Sequence, residues 1–108
     1  MSYEIVFYNA RVEATVLKWP SGIAANFAAI AERMEDHGPN LGLPHTRSMG
    51  DGLFVVRAKG AEGIGRAMFC AVKGRRIVIL HGFIKKTQKT PPADLQIART
   101  RLKEVINE

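Results

Sequence analysis

Apolar residues recur along the chain in two rhythms, and their order predicts the elements. Residues 3–8 (Tyr-Glu-Ile-Val-Phe-Tyr) are aromatic and β-branched and end at Asn9, which predicts a first strand. From about Ala10 to Trp19 the apolar positions Val12, Val16 and Trp19 follow helical spacing, and Pro20 then ends the run or opens the next helix. Ile23, Phe27, Ile30, Ala31 and Met34 recur at intervals of three and four, with Glu32, Arg33, Glu35 and Asp36 on the other faces and His37-Gly38-Pro39 as a stop. This predicts a second helix. Two consecutive helices joined at Pro20 predict an antiparallel hairpin that lays its apolar stripe on the sheet that follows.

Residues 40–44 read as loop. After them the rhythm changes to that of strands, over 46–49, 53–59, 64–73 and 76–84, separated by Gly50-Asp51-Gly52, residues 60–63 and Gly74-Arg75. Connections this short require antiparallel neighbours. Ile77-Val78-Ile79-Leu80 is apolar on both faces, as a central strand would be. Thr90 is read as an N-cap with Pro91 in the first helical position, and Leu95, Ala98, Leu102 and Val105 as the apolar stripe of a last helix. The expected fold is α+β: an N-terminal helix hairpin packed on a small antiparallel β-sheet, with a C-terminal helix. A chain of 108 residues fits one domain over 1–108, because a second core would leave each half too small to stabilise itself. There is no internal repeat and no low-complexity tract.

Composition narrows the class. An apolar share of 46% and a charged share of 24% are those of an ordinary globular domain, which argues against disordered and fibrous classes. Residues 1–10 mix Glu4 and Asn9 into a short apolar stretch without a basic leader, and no run approaches bilayer-spanning length, so neither export nor a membrane partner is expected. The one cysteine, Cys70, sits in an apolar segment, which suits a reducing cytoplasm. Charge changes the picture most. Residues 1–54 carry 4 Lys/Arg against 6 Asp/Glu, whereas residues 55–108 carry 12 against 4, so a net −2 is followed by a net +8. A basic half of this kind faces a polyanion or merely keeps the domain soluble, and clustering decides between the two.

Strand alternation supplies the clustering. Residues two apart share a face, so Arg57 lies with Lys59, Arg66 with Met68 and Cys70, and His81 with Phe83 and Lys85. If these strands are neighbours, several cations and one histidine gather over one region of the sheet. Cleaving RNA without a metal needs cations for the charge on the phosphorane, a group to take the 2′-hydroxyl proton, and a group to protonate the leaving oxygen. Arg57, Arg66 and Lys85 are assigned the first role and His81 the proton transfer, since its unperturbed pKa of about 6.5 suits either direction. Phe83 can stack on a base, and Lys59, Lys86 and Lys89 can contact the RNA backbone. Each has a plainer reading: a lone strand arginine is usually solvated, His81 can be structural, Phe83 can be core, and the run Lys85-Lys86-Thr87-Gln88-Lys89 can be a soluble loop. Met68 and Cys70 are read as core. His37 and His45 have no carboxylate or cysteine at ligand spacing, so no metal is assigned. The glycines at 60, 63 and 65 precede a strand and not a helix, so no nucleotide cofactor is supported.

Three stretches carry a resemblance: Asp51-Gly52-Leu53-Phe54-Val55-Val56-Arg57, Gly65-Arg66-Ala67-Met68-Phe69, and the run from Ile77 through His81-Gly82-Phe83-Ile84-Lys85-Lys86 to Pro91. Together they resemble the phage-type HigB branch of the RelE/ParE toxin superfamily. The resemblance implies a type II toxin held inactive by a cognate antitoxin, often a helix-turn-helix DNA-binding protein. It also implies an endoribonuclease that cuts mRNA on the ribosome through the 2′-hydroxyl, without metal. Within it, Arg57 matches the basic residue that ends the Gly-Leu-x-x-x-Arg strand, and Arg66 matches the arginine of the next strand. Gly65 stands where that arginine is usually preceded by tyrosine, and the C-terminal tyrosine segment of other relatives is absent, which leaves the general base unassigned. Two other classes compete: a ParE-like inhibitor that poisons DNA gyrase by binding it, and a regulatory module that grips RNA without cutting it.

Overall fold

The computed structural model describes residues 2–85 and 89–107. In chain order the elements are β1 (Glu4–Phe7), α1 (Ala10–Leu17), α2 (Ser21–His37), β2 (Thr46–Gly50), β3 (Leu53–Gly60), β4 (Gly63–Val72), β5 (Arg76–Lys85) and α3 (Pro92–Ile106). The sheet runs β1-β5-β4-β3-β2. Among the described residues, no helix is long and apolar enough to cross a membrane.

Two expectations about the architecture need correction. The strand expected over residues 3–8 forms as β1, so the helix pair follows it and is not the N-terminal element that the expected fold made it. The sheet is also mixed and not antiparallel: β1 lies parallel to β5, from Glu4↔Arg76 to Phe7↔Ile79, while the other three pairings are antiparallel. The physical reason is the crossover. A strand separated from its partner by two helices and three strands is not bound by the short connections that force antiparallel neighbours.

The two consecutive helices α1 and α2 both lie on one side of the sheet. Asn9 caps α1, its side chain accepting from the Val12 amide at 2.9 Å. Pro20 occupies the cap position of α2 and offers no side-chain hydrogen bond. That end is served instead by Glu62 of the β3–β4 turn, which accepts from the Gly22 amide at 3.0 Å. The stripe Val12, Val16, Trp19, Ile23, Phe27, Ile30 and Met34 is buried against Val56, Ala58, Ala67, Phe69, Ile77 and Ile79. Trp19 can lie this close because two strand residues lack a side chain. A Cβ at Gly65 would sit 2.7 Å from both Trp19 Cζ3 and Ile23 Cγ2, and one at Gly82 would sit 2.9 Å from Val16 Cγ2.

On the opposite side α3 buries Ala98 and Leu102 against Leu53, Val55, Met68, Cys70, Val78 and Leu80. Met68 and Cys70 are core, as read from the sequence. The α3 start differs from expectation by one residue: Pro91 is the cap, without a side-chain hydrogen bond, and Pro92 is the first helical residue. Polar tethers hold the helix down. Arg99 donates to the carbonyls of Gly50 (2.8 Å) and Met49 (2.9 Å). Arg101 donates to the Leu80 carbonyl at 2.8 Å and lies 4.7 Å above the Tyr8 ring, whose hydroxyl bonds Glu104. Part of the basic half of the chain is thus spent on structure.

Candidate active site

The α3 side of the sheet changes character along the strands. Its apolar part ends at a row formed by Val55 and Met68, whose cross-strand partners are Arg47 on β2 and His81 on β5. The next row is Arg57, Arg66 and Phe83, and the one beyond is Lys59, Ile64 and Lys85. Partners directly opposite in a ladder share a face. The register therefore brings Arg57, Arg66, His81, Phe83, Lys85 and Lys59 onto one face and adds Arg47. Lys89 is exposed in the segment leading to α3, off the strands. Lys86 lies outside the described residues.

A β-bulge is what makes the face continuous. Between Met68↔His81 and Phe69↔Ile79 the β5 strand holds one extra residue, Leu80. Ile77 and Ile79 consequently point to the helix hairpin, whereas Leu80 and His81, although adjacent, both lie on the α3 side. Unbroken alternation from Ile79 would have turned His81, Phe83 and Lys85 to the hairpin side, away from Arg66.

Arg66 is the centre of the cluster. It is only 4% exposed, and its Nε has no hydrogen-bond partner among the described residues. Burial foremost, then the charges of Arg57 and Arg47, holds its pKa below the ordinary arginine value, though a guanidinium remains charged. Lys85, though only partly covered, is pushed down from the ordinary lysine value by desolvation and by Arg66, Arg57 and Arg47 in turn. Three cations, Arg47, Arg57 and Lys85, crowding a buried, incompletely bonded guanidinium form an arrangement that an oxyanion relieves.

His81 stands at the margin of this cluster. Its Nε2 is 2.6 Å from Asp94 Oδ1 at the start of α3, and its ring stacks on Phe83 with centroids 5.9 Å apart. With Nε2–H assigned as the donor to the carboxylate, a neutral imidazole presents Nδ1 as an acceptor, which is what a general base requires. Phe83 is half-buried at the edge of the α3-side core. Asp94 and Arg47 were not singled out from sequence. Asp94 looks like an ordinary acidic residue in a first helical turn, and Arg47 is one residue of a short edge strand, so neither carries a local signal. Among the described residues, no three His, Cys, Asp or Glu side chains gather closely enough to hold a metal ion.

Comparison with known proteins places the chain. No curated protein matches it. A family model described as phage derived protein Gp49-like (DUF891) matches residues 14–103, which runs from within α1 to within α3 and takes in all of α2 and of β2 through β5. The chain therefore belongs to the Gp49-like family of phage-derived proteins.

Proposed function

We propose that this protein is the toxin of a type II toxin-antitoxin system and acts in the cytoplasm as a metal-independent endoribonuclease on ribosome-bound mRNA. The observation that carries the reading is the cluster of Arg47, Arg57 and Lys85 around the buried guanidinium of Arg66, which lacks a partner at Nε among the described residues, beside the His81–Asp94 pair. Membership of a phage-derived, toxin-like family related to RelE/HigB supports it.

In this mechanism the scissile phosphate sits on Arg66, flanked by Arg57 and Arg47, which stabilise the charge that builds on the phosphorane oxygens. His81 accepts the 2′-hydroxyl proton at Nδ1 while Asp94 holds the ring and balances the imidazolium that forms. The 2′-oxygen bonds to phosphorus, the bond to the 5′-oxygen breaks, and Lys85 delivers a proton to that leaving oxygen. Its lowered pKa makes it a better acid than an ordinary lysine. The products are a 2′,3′-cyclic phosphate and a 5′-hydroxyl. Phe83 stacks on a base, and Lys59, Lys86 and Lys89 dock the RNA backbone. The partners are the ribosome, its message and a cognate antitoxin of the helix-turn-helix DNA-binding kind.

Primer extension on a reporter mRNA in a purified translation system tests this. New 5′ ends within codons, absent with Arg66→Ala, are expected. Intact message in the presence of folded protein would sink the ribonuclease reading and leave gyrase inhibition or RNA binding without cleavage.

A further inference from the structure

We propose that a small cavity at the β2–β3 edge binds one unpaired nucleobase, that of the nucleotide whose phosphate Arg57 and Arg66 hold; the inference rests on the ribonuclease reading above. The cavity has a volume of about 150 Å³ and is lined by Asn26, Pro44, His45, Arg57, Lys59 and Ile64. At roughly 30 Å³ of liquid per water molecule it has room for about five waters, the scale of one heterocyclic ring system and not of a folded partner.

Its position ties it to the cation cluster. Arg57 belongs to both, being the cross-strand partner of Arg66. Ile64, in the cavity wall, pairs with Lys59 on one side and Lys85 on the other. A phosphate on Arg66 therefore has the cavity one strand away.

Its chemistry selects the occupant. The walls are mainly apolar, formed by Pro44, Ile64 and the carbon stems of Arg57 and Lys59, which suits a planar ring and not a second phosphate. No carboxylate lines it to balance a metal cation, which would meet the positive charges of Arg57 and Lys59 there. The polar groups suit a base edge. His45 Nε2 lies 3.1 Å from Arg33 Nη1. A guanidinium only donates, so His45 accepts at Nε2 and carries its proton on Nδ1, a donor. Asn26 donates from Nδ2 to the Lys59 carbonyl at 2.9 Å, which fixes its carboxamide at the rim. The His45 ring is held by its own backbone as well: its carbonyl accepts from the Arg57 amide at 2.9 Å, and its amide donates to the Gly42 carbonyl at 3.1 Å. A preformed wall of this kind loses little freedom on binding.

The test is a ¹⁵N-resolved NMR titration of the full chain with adenosine 5′-monophosphate, ribose 5-phosphate and inorganic phosphate. All three are expected to shift Arg47, Arg57, Arg66 and Lys85. Only the nucleotide is expected to shift His45 and Ile64 and to bind at least about fivefold more tightly than ribose 5-phosphate, as stacking of one base would give. Ile64→Trp, which fills the cavity, and His45→Ala, which removes a wall, should each erase that gain while leaving inorganic phosphate binding unchanged. Equal affinity for nucleotide and ribose 5-phosphate, or a gain that survives in every folded variant, overturns the base site alone. Failure of all three ligands to touch the arginines overturns the ribonuclease reading and the base site with it.

Discussion

Arg57 and Arg66 stand directly opposite each other across the β3–β4 ladder, two like charges at a position where cross-strand partners normally attract. Arg66 is nearly buried there, and its Nε has no partner among the described residues. The fold is less stable for holding this pair, and the tension is expected where a site awaits an anion. Arg66→Met, which keeps most of the volume and removes the charge, should raise stability by about 1–2 kcal/mol. A rise in melting temperature of several degrees, together with loss of growth arrest, is the expected outcome. A destabilised variant would mean that Arg66 is satisfied in the folded protein and does not serve as an anion site.

Arg47 should act as a fourth cation although it lies on the edge strand. If it meets the phosphate backbone, Arg47→Ala reduces the magnitude of the salt dependence of single-stranded RNA binding by about 0.7 in log–log slope. The same substitution removes one of the charges that lower the Lys85 pKa, so the Lys85 ammonium titration, followed by NMR, should move to higher pH. An unmoved titration would place Arg47 outside the cluster.

Gly65 should not accept a side chain. The Cβ of alanine would be 2.7 Å from Trp19 and Ile23, neither of which is a flexible surface chain, so Gly65→Ala is expected to cost about 1–3 kcal/mol in urea unfolding. Recovery of much of that loss in the Trp19→Leu background would identify the indole as the clashing group. Undiminished stability of the single variant would mean that the helix hairpin shifts freely over the sheet.

The Glu62 carboxylate, held by the Gly22 amide first among its causes, has its pKa below the ordinary value of 4.5. A carboxyl group whose pKa is depressed on folding stabilises the protein above its unfolded value and loses that contribution as pH falls through the folded one. The melting temperature of wild type should exceed that of Glu62→Gln at neutral pH, and the gap should close below about pH 4. A gap independent of pH would show that the α2 terminus does not depend on the charge.

Much of this molecule is legible in its sequence because it depends on local rhythm. The stripe from Ile23 to Met34 is buried on one face at helical spacing, the four later strands fall where turn residues bound apolar runs, and Ile77 to Leu80 is covered on both faces. Alternation alone was also enough to pair Arg57 with Lys59 and His81 with Phe83 and Lys85, since residues two apart in a strand share a face. Tertiary structure decided the rest. Whether those sets face each other depends on register and on the single extra residue at Leu80, which no period reveals. The parallel pairing of β1 with β5, the approach of Asp94 to His81 and the arrival of Arg47 beside Arg57 and Arg66 join residues far apart in the chain. Such contacts are fixed by how three layers bury their apolar faces together, and the residues that make them carry no mark of it in their own neighbourhoods.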